Sequence, residues 1–106
     1  MTKLKMTVKV TESVRDMIQR LFLDYYQKEK VLKGLIEDHQ YDDNPAEFLE
    51  SEIFKAYENK TAKALLAYET ASEEMKNTYI PEEFKNLDNF RWRLDYDSCN
   101  LTFTQA

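Results

Sequence analysis

The chain has 106 residues and one cysteine, enough for a single hydrophobic core and too few cysteines for an internal disulfide framework. One glycine and two prolines are too few for a loop-rich or all-β protein, and 42% hydrophobic residues are too many for a disordered one. The net charge of −5 is concentrated: between Lys33 and Lys55 there are seven acids and no Lys or Arg, and the rest carries 15 bases against 13 acids, so neither a basic nucleic-acid-binding stripe nor an extended DNA mimic is expected.

In residues 3–10, Leu4, Met6, Val8 and Val10 alternate with Lys3, Lys5, Thr7 and Lys9, which predicts a strand with one apolar and one basic face. This opening lacks the unbroken apolar core of a signal peptide, and no run approaches the roughly 18 apolar residues of a membrane span. With the lone cysteine, this suggests a cytoplasmic protein that needs no membrane. Thr11 is a good helix N-cap, with Glu12 in the first turn. Helix one then covers residues 12–38. Val14, Met17, Ile18, Leu21, Phe22, Tyr25, Leu32, Leu35 and Ile36 recur at spacings of three and four. Leu23 and Tyr26 fall outside that stripe, and the arc is wider than one partner helix can cover. Gly34 either closes the helix as a left-handed C-cap or is tolerated within it; Leu35 and Ile36 keep the spacing, which favours continuation.

His39 to Asp43 reads as a loop. Asn44-Pro45-Ala46-Glu47 is a helix start, with Asn44 as cap, Pro45 at the first helical position and Glu47 completing a capping box. Helix two covers residues 45–77, and Phe54, Tyr57, Thr61, Ala64, Tyr68, Ala71 and Met75 form its seam. Ile80-Pro81 stops it, and residues 81–89 read as a linker. The tail alternates again. A two-residue turn at Asp97-Ser98 makes a hairpin of residues 90–96 and 99–104, with Tyr96 opposite Cys99, Leu94 opposite Leu101 and Trp92 opposite Phe103. Its other face carries Arg91, Arg93, Asp95, Asn100, Thr102 and Thr104. The expected fold is therefore a single α+β domain, mostly helical: a long antiparallel helical hairpin with a small sheet from the N-terminal strand and the C-terminal hairpin. A basic sheet would stand at one end and an acidic tip at the other.

No chemistry-bearing motif stands out. Cys99 has Asp97 nearby, which disfavours a thiolate, and it alternates with Leu101 and Phe103 as a core cysteine would. The loop from Asp38 to Asp43 is rich in oxygen ligands but lacks a calcium-loop pattern, and no Glu-x-x-His suggests a di-iron bundle. Asp95-Tyr96-Asp97-Ser98 reads as a turn. The chain is expected to be non-catalytic, with no cofactor and no bound metal.

The segment Val8-Lys-Val-Thr-Glu-Ser-Val-Arg-Asp-Met-Ile-Gln-Arg-Leu-Phe22, with Trp92-Arg-Leu-Asp-Tyr-Asp-Ser-Cys-Asn-Leu101 much later, resembles the CXXX repeat peptide modification system protein family of small bacterial proteins. The resemblance covers both ends, about a third of the chain. It implies an opening strand, a Val-Thr-Glu start to a helix reaching Ile-Gln-x-Leu-Phe, and a closing strand pair with Trp-x-x-Asp-aromatic-x-x-Cys. It also implies an accessory role beside maturases of ribosomally made cysteine-repeat peptides, with a precursor peptide or the modifying enzyme as partner.

Three functions compete on these residues. An accessory protein would hold an acidic segment on Lys5, Lys9, Arg91 and Arg93, with a Thr-rich edge strand open to strand addition. A self-assembling helical module would use Leu23 and Tyr26 in a homodimer. A small metal-dependent enzyme would use the carboxylates of the tip.

Overall fold

The computed structural model describes residues 3–106. Its elements are β1 (Lys5–Lys9), α1 (Glu12–His39), α2 (Pro45–Leu49), α3 (Glu52–Tyr79), a 3-10 turn (Glu82–Phe84), β2 (Phe90–Asp95) and β3 (Asn100–Gln105). The fold is the expected α+β one, two long helices with a three-stranded antiparallel sheet. The chain forms two compact units: the residues up to Gln19 with Thr70–Ala106, and Arg20–Glu69.

The first unit is organised by its sheet, in the order β1-β3-β2. Leu94 pairs with Leu101 and Trp92 with Phe103, the register read from the alternation. On the other side Met6 pairs with Phe103 and Val8 with Leu101. Leu101 and Phe103 on the central strand are fully buried. Their immediate neighbours on both flanking strands are apolar, which is what a single-faced sheet requires. A one-residue slip would turn both outward.

The turn differs from expectation. Its loop has four residues, 96–99, and β3 begins at Asn100. Cys99 N–H donates to the Asp95 carbonyl at 2.9 Å. That closure puts Cys99 in the left-handed region, φ 62°, where a side chain is normally unfavourable. A two-residue turn there would ask for positive φ at Asp97, Ser98 or both, so the chain takes the wider turn with one left-handed residue. Cys99 remains buried, and its carbonyl accepts from Val10 N–H at 2.9 Å, which prolongs the β1–β3 ladder by one pair.

Thr11 caps α1 as expected, its Oγ1 accepting from Val14 N–H at 3.2 Å. The helix runs through Gly34 to His39. Behind the sheet, Ile18, Ala71 and Met75 are buried helical residues of the same unit. The segment 81–89 is more than a linker. Its 3-10 turn drives Phe84 to complete burial, with ring centroids 5.7 Å from both Phe90 and Phe103. Phe90 and Phe103 are themselves 6.0 Å apart, so the three rings form one aromatic cluster in this core.

In the second unit, Arg20–Glu69, α1 and α3 pack as an antiparallel pair. Phe22 meets Tyr68 at 5.4 Å between centroids, and Phe54, Thr61 and Ala64 are buried along the expected seam. The single helix expected over 45–77 is split. α2 stops at Leu49, and α3 starts afresh from Ser51, whose Oγ accepts from Phe54 N–H at 3.2 Å. The break lets Phe48 stack on His39 at 3.7 Å while it meets Phe54 at 5.4 Å, so the short helix closes the end of the pair. The capping box at Asn44 does not form: Asn44 makes no side-chain cap bond, and Glu47 N–H goes to the Asn44 backbone carbonyl instead, at 3.1 Å. Pro45 does occupy the start of the helix, where its missing N–H costs nothing.

Candidate binding face

The outer face of the sheet is a grid of nine side chains, and the register sets its rows. Lys5, Thr104 and Arg91 lie abreast; then Thr7, Thr102 and Arg93; then Lys9, Asn100 and Asp95. Alternation along each strand puts these nine on one side and the apolar set on the other. The central column is neutral and hydroxyl-rich, with Thr7 and Thr102 Oγ1 atoms 3.1 Å apart. Cations flank it on both sides. Two strand spacings separate the lysine column from the arginine column, about 10 Å. Four cations facing one anion within about a Debye length of each other make a concentrated positive field.

Among the described residues, none of Lys5, Lys9, Arg91 and Arg93 makes an ion pair within 4.0 Å. Asp95 is the exception in sign. It accepts from Asp97 N–H at 3.0 Å. That backbone bond, with help from Ser98 and from the Arg93 charge, holds its carboxyl below the usual carboxylate range. Lys5, Thr7, Arg91, Arg93, Thr102 and Thr104 line a shallow depression, which Trp92 also borders.

The central position of β3 corrects one expectation. Its threonines lie on a strand with both edges already paired, so a Thr-rich β3 cannot accept another strand. The free edges belong to β1 and β2. Arg15 is a positioning residue with no marker in the sequence: from α1, its Nη1 donates to the Tyr96 carbonyl at 2.7 Å and clasps the hairpin loop. Asp16, with its carboxylate 2.7 Å from Arg15 Nε, raises the already high pKa of the guanidinium further, chiefly through that hydrogen bond. A helix cation that grips a loop 81 residues away leaves no local periodic signal.

Leu23 and Tyr26 lie in the second unit, on α1. They are 47% and 46% exposed, as their place off the stripe requires. Tyr26 already stacks on Phe22 at 6.0 Å and has Lys30 Nζ 5.5 Å above its ring. At the acidic tip, His39 Nδ1 and Asp42 Oδ2 are 2.6 Å apart. Among the described residues, no three of His, Cys, Asp and Glu come together as metal ligands would. Among the described residues, too, no helix is long and apolar enough to cross a membrane.

No family model, curated protein or solved structure matches the chain.

Proposed function

We propose that this chain is a non-catalytic accessory protein of a peptide-modification system, working in the cytoplasm and holding an acidic segment of the precursor peptide or of the modifying enzyme. One observation carries the reading: Lys5, Lys9, Arg91 and Arg93 flank a hydroxyl column on one open sheet face, unspent on internal ion pairs among the described residues. A flat face with cations at its margins and neutral hydrogen-bonding groups at its centre suits a chain of carboxylates better than it suits a small molecule. The peptide-modification context comes from the resemblance at the two ends of the chain.

The test is fluorescence anisotropy with a labelled acidic peptide. Affinity should fall as salt rises, because exposed charges are screened beyond about 8 Å at physiological ionic strength. Reversing Lys5, Lys9, Arg91 and Arg93 to Glu should abolish binding. A reversed face that binds as tightly, with the same salt slope, refutes the proposal.

The exposure of Leu23 and Tyr26 favours a second reading, self-association through α1 in a homodimer. Sedimentation of the Leu23→Glu, Tyr26→Glu double variant separates the two. It should dissociate a helical dimer and leave peptide binding intact.

A further inference from the structure

The register decides which backbone groups face outward at each edge of the sheet. In an antiparallel ladder, residues alternate between pairs that exchange both backbone bonds and pairs that exchange none. Val10 N–H reaches Cys99 O, and Gln105 N–H reaches Leu4 O. The odd-numbered residues of β3 are thus spent on β1, and Asn100, Thr102 and Thr104 turn to β2. Their partners are Asp95, Arg93 and Arg91. Ala106 N–H, bonded to Asn89 O at 3.3 Å, keeps the same phase. The N–H and C=O groups of Phe90, Trp92 and Leu94 therefore point away from the sheet. Among the described residues no backbone group outside the sheet and no side chain bonds to them.

Resting on the reading of this face as an acidic-peptide site, we infer that the peptide binds as a fourth, antiparallel strand on the β2 edge, with acidic residues at alternate positions opposite Arg91 and Arg93 and an apolar residue between them opposite Trp92. Side chains of an added strand line up with their neighbours across the ladder. Carboxylates opposite Arg91 and Arg93 then lie on the basic face, and each meets a guanidinium fork suited to bidentate contact. The intervening residue falls on the apolar side beside Trp92, which is only half-buried as an edge residue should be. The usable edge is short. Beyond Asp95, Arg15 already holds the Tyr96 carbonyl, so about five residues can pair.

The β1 edge is the weaker acceptor. Its outward backbone groups are those of Lys5, Thr7 and Lys9, with the two cations four residues apart and a threonine between. Lysine on an edge strand is a common device against strand addition. Arg91 and Arg93 are two apart, matching consecutive outward side chains of one extended peptide.

Isothermal titration with synthetic peptides tests this on the whole chain. The first peptide has the core Val-Glu-Val-Glu-Val; the second has the same composition with its two Glu adjacent. Two more are N-methylated, one at the valines and one at the glutamates. The alternating peptide should bind best. Methylating the valines, whose N–H groups would bond to β2, should weaken binding about tenfold or more, and methylating the glutamates should change it little. The Arg91→Gln, Arg93→Gln variant should lose more affinity than Lys5→Gln, Lys9→Gln. In hydrogen exchange, the amides of Phe90, Trp92 and Leu94 should be fast in the free protein and slow when the alternating peptide is bound. Binding that ignores residue order and valine methylation overturns strand addition and leaves the acidic-peptide face standing. Slow exchange of these amides without peptide overturns it too, because the edge would then already be covered, for example by a second copy. Failure of every acidic peptide to bind removes the functional reading as well.

Discussion

Replacing Phe84 with Ala should be among the most damaging single changes in the chain, although residues 81–89 carry no strand or helix period. The ring is fully buried and meets two others, Phe90 in a T-shaped contact and Phe103 in a tilted one, each at 5.7 Å. Burial of a phenylalanine side chain contributes about 1.5–3 kcal/mol. Two aromatic pairs add about 0.5–1.5 kcal/mol each. Truncation to Ala should therefore cost about 3–5 kcal/mol, the usual range for a core phenylalanine. A chain of this length has roughly 5–15 kcal/mol in all, so the loss is a large share. Phe84→Leu keeps most of the burial and forfeits both ring pairs, for a cost of about 1–3 kcal/mol. Leu87→Ala, at a half-buried position of the same segment, should cost less than Phe84→Ala. The assay is urea unfolding followed two ways. Trp92, the single tryptophan, reports on the sheet, and circular dichroism at 222 nm reports on the helices. The fluorescence midpoint should fall sharply in Phe84→Ala. A shift worth less than about 1 kcal/mol in that signal would show that the 3-10 turn is a dispensable cover and that the sheet closes its core without it.

Gly34→Ala should raise stability by about 0.4–1 kcal/mol in thermal unfolding, because the helix continues through this position and an added Cβ meets nothing within 4 Å. Ser72→Ala should be neutral or stabilising in the same assay, since Ser72 is buried and its hydroxyl has no hydrogen-bond partner among the described residues. Asp95 has a folded-state pKa below its ordinary value, chiefly through the Asp97 N–H bond. Its contribution is therefore present above the unfolded-chain value of about 3.9 and is lost as pH falls through the lower folded value. Asp95→Asn should flatten the acid limb of a stability–pH profile and leave its slope near neutrality unchanged; an unaltered acid limb would show that the carboxylate bond adds nothing.

Much of this protein was legible in local patterns. The alternation of Trp92 and Leu94 with arginines, and of Leu101 and Phe103 with threonines, allowed one hairpin register, because any odd slip would put an apolar row in water. The 3.6-residue spacing carried α1 past Gly34, and Thr11 marked its start. The four cations of the candidate face were legible for the same reason, since a period of two fixes which side chains share a side. Other features depended on groups far apart in the chain. β1 pairs with β3 across about 95 residues, so its place beside β3 and the exposure of the β2 edge are matters of docking that no local period encodes. The hold of Arg15 on the Tyr96 carbonyl spans a similar distance. The break at Ser51 answers to the stacking of Phe48 on His39 and its contact with Phe54, and overrides a sequence that would run on as one helix. Cys99 accepts a left-handed backbone because closing the loop requires one there. Phe84 was hidden because a single aromatic in an aperiodic segment reads as linker until a core with room for one more ring is built around it. Period and capping chemistry act within a few residues and fix faces and ends; strand order, turn closure and the last core residue depend on which surfaces meet, and only the packed chain decides that.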